Sequence, residues 1–221
     1  LLPHDFSWYD EGSQTGYVWD NQISVSGGSE KISYRLSSNM THNTGFIAND
    51  LFKRKGLNTS LESKATDWLT VGLQAFVNLV NEDGNEPNLE NLRLMSPLIL
   101  PWEENGKLKV NPFNTNGTNP FLGYEADDYD RKNYFFANLY ANVKLPVKGL
   151  SYKLTYGNNY RQDRRFTSNE YDANQTGQAS KENATYYDYT LDNILTYNRS
   201  FGKHSITGTL LYGVVERQNE Y

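Results

Sequence analysis

Apolar and polar residues alternate with a period of two along much of the chain. The clearest example runs from Lys132 to Leu145, where every odd position from 135 onward is apolar and Asn138, Asn142 and Lys144 occupy even positions. Successive side chains of a β-strand point to opposite faces, so this alternation predicts a strand with one apolar face. A turn at 146–149 and a second alternating segment complete a predicted hairpin.

The same unit recurs along the sequence. Hairpins are predicted near 20–40, 52–80, 131–161 and 185–216, and each has a short turn. The connections between hairpins are longer, about 10, 50 and 24 residues, and the longest is a loop over 81–130 with a short helix near Leu89–Met95. Short turns at one end and long loops at the other are typical of a transmembrane β-barrel. We therefore predict an all-β fold, an antiparallel transmembrane β-barrel of which this chain supplies about eight strands.

Composition narrows the function classes. The 221 residues include no cysteine, carry a net charge of -5 and have a mean hydropathy of -0.74. Disulfides and thiolate metal sites are therefore excluded, and no basic surface for nucleic acid is expected. No apolar stretch approaches the roughly 18 residues of a transmembrane helix. The 17 tyrosines and 4 tryptophans suit aromatic girdles at membrane interfaces, although soluble antiparallel sheets are also rich in tyrosine.

The two ends of the sequence predict a piece of a larger barrel. Leu1 begins a polar and aromatic segment without the features of a signal peptide. A strand predicted over 209–215 has no predicted partner after it, and an unpaired strand edge promotes aggregation. We expect more barrel to follow this chain.

The first 80 or so residues carry a resemblance to a known family. The segment 21–37, with a Ser-Gly-Gly-Ser-Glu turn at 26–30 followed by Tyr34, resembles the early barrel hairpin of SusC-like (RagA-type) TonB-dependent transporters of Bacteroidetes outer membranes. The stretch from Gly45 to Leu69 resembles the next hairpin of that family in spacing and residue type. The later hairpins match in architecture only.

This resemblance implies a barrel of about 22 strands with a plugged lumen. Such a transporter lies among outer-membrane lipid and imports oligosaccharides or peptides that a SusD-like surface lipoprotein captures. The TonB-ExbB-ExbD complex supplies energy by pulling on the plug, which is absent from this chain. The resemblance implies neither a cofactor nor an enzymatic activity.

One predicted strand carries candidate lumen residues. Arg54, Asn58 and Ser60 share a face, and the resemblance implies that the matching arginine and asparagine positions face the plug. We hypothesise that Arg54 pairs with a plug carboxylate. Lys53 and Lys55 fall on the opposite face, where long cationic side chains can reach lipid phosphates.

Aromatic residues of the long loop are candidates for contact with a ligand or with the lipoprotein, because aromatic side chains are rigid anchors. Packing of the loop onto itself and onto the barrel mouth is the alternative, and both interpretations stay open. The residues concerned are Trp102, Phe113, Phe121 and Tyr124.

Metal and catalytic chemistry has little support in the sequence. Asp127, Asp128 and Asp130 form an incomplete calcium candidate that lacks the glycine and the terminal glutamate of an EF-hand loop. His4, His42 and His204 have no ligand spacing, so no metal site is predicted from them. Carboxylate pairs for glycoside hydrolysis depend on separation in space, which a sequence does not give.

Two other classes compete with the transporter. A soluble or surface-exposed β-rich carbohydrate-binding or adhesion module would bury one sheet face against another. A small complete barrel of eight strands would close on itself. The predicted strands reach 12 residues or more, longer than the five or six usual in globular domains, and this favours the large barrel.

Overall fold

Eight strands pair in chain order to form one antiparallel sheet. The computed structural model describes residues 5–112, 117–169 and 177–221. Each strand is hydrogen-bonded to the next along the chain, so the sheet is a continuous meander. The strands are β1 (Tyr17–Gly28), β2 (Ile32–Thr44), β3 (Leu51–Lys64), β4 (Leu69–Asn81), β5 (Asp127–Lys144), β6 (Leu150–Asn169), β7 (Gln178–Phe201) and β8 (His204–Glu220). The predicted all-β antiparallel fold class is confirmed.

The connections differ at the two ends of the sheet. Short turns at 29–31, 65–68, 145–149 and 202–203 close one end, and we call it the short-turn end. Gly149 and Gly202 have φ angles of 86° and 56°, a left-handed region that glycine enters without a side-chain penalty. Strands β2, β4 and β6 each finish at the opposite end of the sheet, where the longer connections begin, and we call this end the long-loop end.

The two longest strands of the meander are β6 and β7. β6 has 20 residues and β7 has 24, so the connection between them is shorter than the predicted 24 residues. The prediction ended β6 too early and started β7 too late, because 162–169 and 178–184 are polar at most positions and the apolar alternation is lost there. Backbone pairing continues regardless, as in Arg164 opposite Asn183.

Short helices lie at the long-loop end. Helix α1 is Trp8–Glu11, helix α2 is Leu89–Leu94, and a 3₁₀-helix spans Pro120–Glu125. The predicted helix near Leu89–Met95 is therefore confirmed, and its first turn is capped by Asn88, whose side chain accepts the Asn91 N–H at 3.0 Å. Among the described residues, no helix has the length and apolar character needed to cross a membrane.

The buried apolar side chains gather at the long-loop end. Trp8, Leu92, Met95 and Phe121 form a small core between the segment before β1 and the connection between β4 and β5. Leu108 and Tyr124 pack against it. The sheet itself keeps many large apolar side chains in contact with solvent, so its stability rests on strand pairing and same-face neighbours.

Candidate functional site

One face of the sheet is apolar across its width. A single register row crosses seven strands with an apolar or aromatic residue at every position. Leu139, at the centre of this row, is 48% exposed. An exposed apolar surface of this extent marks contact with a membrane or another protein. This apolar face is defined by the row Tyr34, Leu61, Leu73, Leu139, Tyr156, Leu191 and Val214.

The opposite face is mainly polar, because successive side chains of each strand alternate. A stacked pair, Phe76 and Phe136, lies at its centre with ring centroids 5.2 Å apart. Polar or charged residues flank the pair on both sides of the sheet. This polar face is defined by the row Ser37, Asn58, Phe76, Phe136, Asn159, Asp188 and Arg217.

Hydrogen bonds between strands organise the polar face. The Tyr140 hydroxyl donates to a Glu62 carboxylate oxygen at 2.5 Å, and Asn159 Nδ2 donates to Asp188 Oδ2 at 2.9 Å. Arg161 pairs with Asp163 within β6. These contacts satisfy charged groups while leaving a surface of donors and acceptors, which suits contact with water or with a polar molecule.

The three candidate lumen residues lie on the polar face. Asn58 and Ser60 line a cavity of about 280 Å³ beside the stacked Phe76 and Phe136. Arg54 lies nearer the long-loop end, where its Nη2 donates to Thr41 Oγ1 at 3.2 Å. Its Nε is buried and has no acceptor within the described part of the chain. Arg54 therefore retains a hydrogen-bond donor that a further partner can fill.

Aromatic rings of the long loop pack on the segment before β1. Phe121 is 1% exposed and stacks on Trp8 with centroids 5.5 Å apart and planes 6° from parallel. Tyr124 stacks on Phe121 at 5.3 Å, and Phe6 meets both Trp8 and Trp102 edge to face. We call Phe6, Trp8, Trp102, Phe121 and Tyr124 the aromatic cluster.

Polar contacts fix the aromatic cluster in place. The buried Asn119 donates to the carbonyl oxygens of Pro101 and Lys109 at 2.9 and 2.8 Å, and its Oδ1 accepts the Phe121 N–H at 3.0 Å. Trp8 Nε1 donates to the Ser96 carbonyl oxygen at 2.9 Å. One amide side chain therefore joins three parts of the loop, and one indole ties the loop to α1.

Tyr124 is the titratable group of the aromatic cluster. Its hydroxyl is buried and has no hydrogen-bond partner in the described residues. Burial raises the pKa of Tyr124, and the negative charge of Glu11 raises this pKa further.

The structure brings three of the four aromatic candidates together, Trp102, Phe121 and Tyr124. Phe113 lies outside the described residues. Phe121 faces the interior of the cluster, so a bound ligand would meet it only if the cluster opened.

The acidic candidates have other partners. Asp128 accepts the Gly84 N–H at 3.3 Å, and Asp130 lies 3.9 Å from the Lys132 ammonium. The side chain of Asp127 is outside the described part. Across the described ranges, no group of three or more His, Cys, Asp or Glu residues is placed to hold a metal ion.

The histidines are separated in the fold. His42 lies in β2 near the long-loop end, whereas His204 begins β8 at the short-turn end. His4 is not among the described residues.

Comparison with known proteins gives the same architecture. No family model matches the chain. A TonB-dependent receptor P3 from Formosa agariphila is 26% identical over 99% of the chain and 23% of its own length. TonB-dependent receptor P39 from the same organism is 26% identical over 96% of the chain and 21% of its length.

Two solved structures share the fold. The RagAB peptide transporter superposes with a TM-score of 0.78 and 22% identity over 98% of the chain and 26% of that chain. The RagAB peptide importer in its closed-closed state gives a TM-score of 0.71 and 21% identity over 97% of the chain and 27% of that chain. The resemblance to a SusC-like, RagA-type barrel is confirmed.

The chain spans only 23% and 21% of the length of the two curated receptors that it matches. The relatives and structural neighbours are named as receptors and transporters, not as enzymes.

Sequence reasoning missed two groups of residues in this chain. Phe6 and Trp8 carry no periodic signal, and their partners lie far away along the chain, so only the fold reveals the contact. Tyr129 and Arg164, whose ring and guanidinium lie 5.8 Å apart, were missed because they lie in the polar extensions of β5 and β6. The signal that could have found them is an aromatic or arginine residue at every second position, continuing past the point where the apolar alternation stops.

Proposed function

We propose that this chain forms part of the barrel wall of a TonB-dependent, SusC-like transporter in a bacterial outer membrane. The observation that carries the proposal is the two-faced sheet, with the apolar face exposed on one side and the polar face on the other. A soluble β-rich binding module would cover its apolar face with a second layer. The relatives imply an outer-membrane β-barrel, which agrees with this assignment.

The apolar face is proposed to contact lipid. Aromatic residues border it toward both ends of the sheet, as in the girdles of outer-membrane barrels. Tyr152 and Tyr160 lie eight residues apart on β6 (160 minus 152), or about 20 Å along the membrane normal at a rise of about 3.3 Å and a tilt of about 40°. Bordering residues are Tyr17, Trp19, Phe135, Tyr160 and Tyr187 on one side, and Tyr152, Tyr197 and Phe201 on the other.

Each end of the sheet can then be assigned to one side of the membrane. Short turns face the periplasm in such barrels and long loops face outward, so the long-loop end is proposed to be extracellular. All of 1–221 would belong to one barrel domain, with the plug supplied from elsewhere in the polypeptide. The polar face would line the lumen, where Asn58 and Ser60 meet the plug and Arg54 pairs with a plug carboxylate. The unfilled Nε donor of Arg54 supports that pairing.

The aromatic cluster is proposed to shape the outer contact surface. A cavity of about 670 Å³ beside the cluster is lined by the apolar or aromatic residues Tyr9, Phe46, Leu89 and Leu94 and by the charged residues Glu90 and Arg93. A cavity of this kind suits an inserted side chain of a SusD-like lipoprotein or of a captured substrate. Trp102, Tyr124 and Phe113 remain proposed contact residues, and the buried Phe121 would join them only if the aromatic cluster opened. The cargo is proposed to be an oligosaccharide or a peptide, and TonB-ExbB-ExbD would energise its import.

Deletion of the whole coding region tests the proposal. We expect the protein to fractionate with outer membranes, and the deletion to abolish growth on the imported oligosaccharide or peptide. Growth should return with the wild-type copy, and it should also be lost when TonB is removed. Recovery of the protein in the soluble fraction, or unchanged growth on a panel of both nutrient classes, would contradict the proposal.

A further inference from the structure

A basic pocket lies on the same side of the sheet as the apolar face, beyond its outer aromatic border. The pocket has a volume of about 440 Å³, and none of its lining residues is a carboxylate. Residues opposite one another in the ladder, such as Phe166 and Lys181 or Arg164 and Asn183, place most of the lining on this one side. The basic pocket is lined by Tyr129, Arg164, Arg165, Phe166, Lys181 and Asn183.

The alternation of each strand fixes the side of the pocket. On β5 the positions of Tyr129 and Phe135 differ by an even number, and on β6 so do those of Tyr160 and Arg164. Residues at even spacing share one face of a strand. The ring and the guanidinium therefore continue the face that is proposed to meet lipid, not the face that is proposed to line the lumen.

Arg164 has unused hydrogen-bonding capacity. Its guanidinium lies over the Tyr129 ring at 5.8 Å, and its Nε is buried without an acceptor among the residues that the structure describes. The neighbouring Arg131 differs, because Asp83 accepts from its Nε and Nη2 at 3.1 and 2.6 Å. A buried donor without a partner is costly, so a ligand that supplied an acceptor to Arg164 would be stabilised.

The height of the pocket suits a lipid headgroup. Arg164 lies four residues beyond Tyr160 (164 minus 160), or about 10 Å farther along the membrane normal. Guanidinium and ammonium groups bind phosphate oxygens strongly, and an aromatic ring packs against the apolar face of a sugar. The combination matches a phosphorylated sugar that is anchored in the adjacent leaflet.

We propose that the basic pocket binds the phosphorylated sugar headgroup of an outer-leaflet glycolipid, with Arg164 and Lys181 contacting the phosphate and Tyr129 contacting the sugar. This inference rests on the proposed function, because it requires the apolar face to contact lipid. Free phosphate offers the same oxygens but has no acyl chains to lie along the apolar face below the pocket, so the glycolipid is the expected occupant.

The test uses the whole polypeptide that carries this sequence, purified and placed in nanodiscs of zwitterionic phospholipid. Diphosphoryl lipid A is titrated into the wild type, the double variant R164Q/K181Q and the control R199Q, and bound lipid is counted by native mass spectrometry. Arg199 is a matched control because its guanidinium also lies over an aromatic ring, 4.8 Å from the Phe201 centroid, but at the short-turn end. Dephosphorylated lipid A and inorganic phosphate are the comparison ligands.

We expect the double variant to bind lipid A at least about tenfold more weakly than the wild type and R199Q, as loss of charge-assisted hydrogen bonds predicts. Dephosphorylated lipid A should bind the wild type as weakly as diphosphoryl lipid A binds the double variant. This second comparison uses only the wild-type protein, so it does not depend on whether a variant folds. The proposal would be overturned if R199Q lost as much affinity for lipid A as the double variant, or if phosphorylated and dephosphorylated lipid A bound equally. It would also be overturned if millimolar inorganic phosphate competed with lipid A, or if a second copy of the protein occluded the pocket.

Failure of the inference and failure of the proposed function give different results. A protein that stays in the outer membrane and supports nutrient uptake but shows no preference for phosphorylated lipid A refutes only the glycolipid site. A protein recovered in the soluble fraction refutes the transporter assignment itself.

Discussion

Tyr140 on β5 reaches across Gly72 on β4 to donate its hydroxyl to Glu62 on β3 at 2.5 Å. A Cβ at Gly72 would lie 2.2 Å from Tyr140 Cζ, so the glycine leaves the space that the phenol ring occupies. Glycine within a strand often marks such a close approach. One missing side chain thereby lets three strands share a single polar contact.

We expect Gly72→Ala to lower the free energy of unfolding by about 1–3 kcal/mol, because the new methyl group displaces the Tyr140 ring. Gly208→Ala on β8 is the matched control, since a Cβ there meets nothing within 4 Å, and we expect a change within about 0.5 kcal/mol. Urea unfolding of the detergent-solubilised protein, followed by tryptophan fluorescence, measures both. Equal effects of the two substitutions would show that the space at Gly72 is not needed.

Phe121→Ala should loosen the aromatic cluster while leaving the strands paired. Truncation of a buried phenylalanine costs about 3–5 kcal/mol, and here the loss falls on contacts with Trp8 and Tyr124. We expect faster proteolysis within 82–126 and a weaker near-ultraviolet circular dichroism signal. The shift in gel mobility that the folded barrel shows on heating should be unchanged. Leu94→Ala is the control, because Leu94 is 73% exposed. Slower proteolysis in Phe121→Ala than in Leu94→Ala would contradict the assignment.

The aromatic cluster should weaken at alkaline pH. The pKa of Tyr124 is raised in the folded protein, first by burial and then by Glu11, above the value of about 10 that the unfolded chain has. The stabilisation is therefore fully present below about pH 10 and is lost as the pH rises through the folded pKa. Trp8 fluorescence against pH measures the transition.

Tyr124→Phe should remove this alkaline transition without loss of stability at neutral pH, because the buried hydroxyl has no partner to lose. Tyr9→Phe, at a half-exposed position, should leave the transition in place. An unchanged alkaline transition in Tyr124→Phe would assign it to another group.

Arg54→Gln and Lys55→Gln separate the two faces of β3 at adjacent positions. If Arg54 pairs with a plug carboxylate, its truncation leaves that charge unpaired at a cost of about 2–5 kcal/mol, and plug retention and nutrient uptake should fall at least tenfold. Lys55 belongs to the opposite face and is exposed, so Lys55→Gln should leave both unchanged. Normal uptake with a fully retained plug in Arg54→Gln would end the pairing hypothesis.

The sheet was predictable from sequence because its chemistry is local. Leu139 and Ala137 alternate with Asn138, and short turns join such segments, so periodicity alone identifies a strand and its apolar face. The same rule fails around Arg164, where polar residues occupy both faces of the strand and the sequence shows no alternation. The end of β6 was therefore predicted too early and the start of β7 too late, while the fold class was confirmed.

The aromatic cluster was only half predictable. Phe121 and Tyr124 stood out as apolar residues in a long loop, but their partner Trp8 lies before β1 and has no spacing relationship with them. Contacts of this kind depend on how four strands bring distant segments together. Likewise, the unfilled donors of Arg54 and Arg164 are properties of three-dimensional packing and leave no trace in a sequence pattern.

The strict chain order of the meander also affects the order in which the protein folds. Each strand finds its partner immediately before or after it in sequence, so pairing can advance one hairpin at a time at a low cost in loop entropy. The stacking of Trp8 on Phe121 is different, since β1 to β4 lie between the two residues in the chain and must pair before the rings can meet. We therefore expect this contact to form late and to stabilise strands that have already paired.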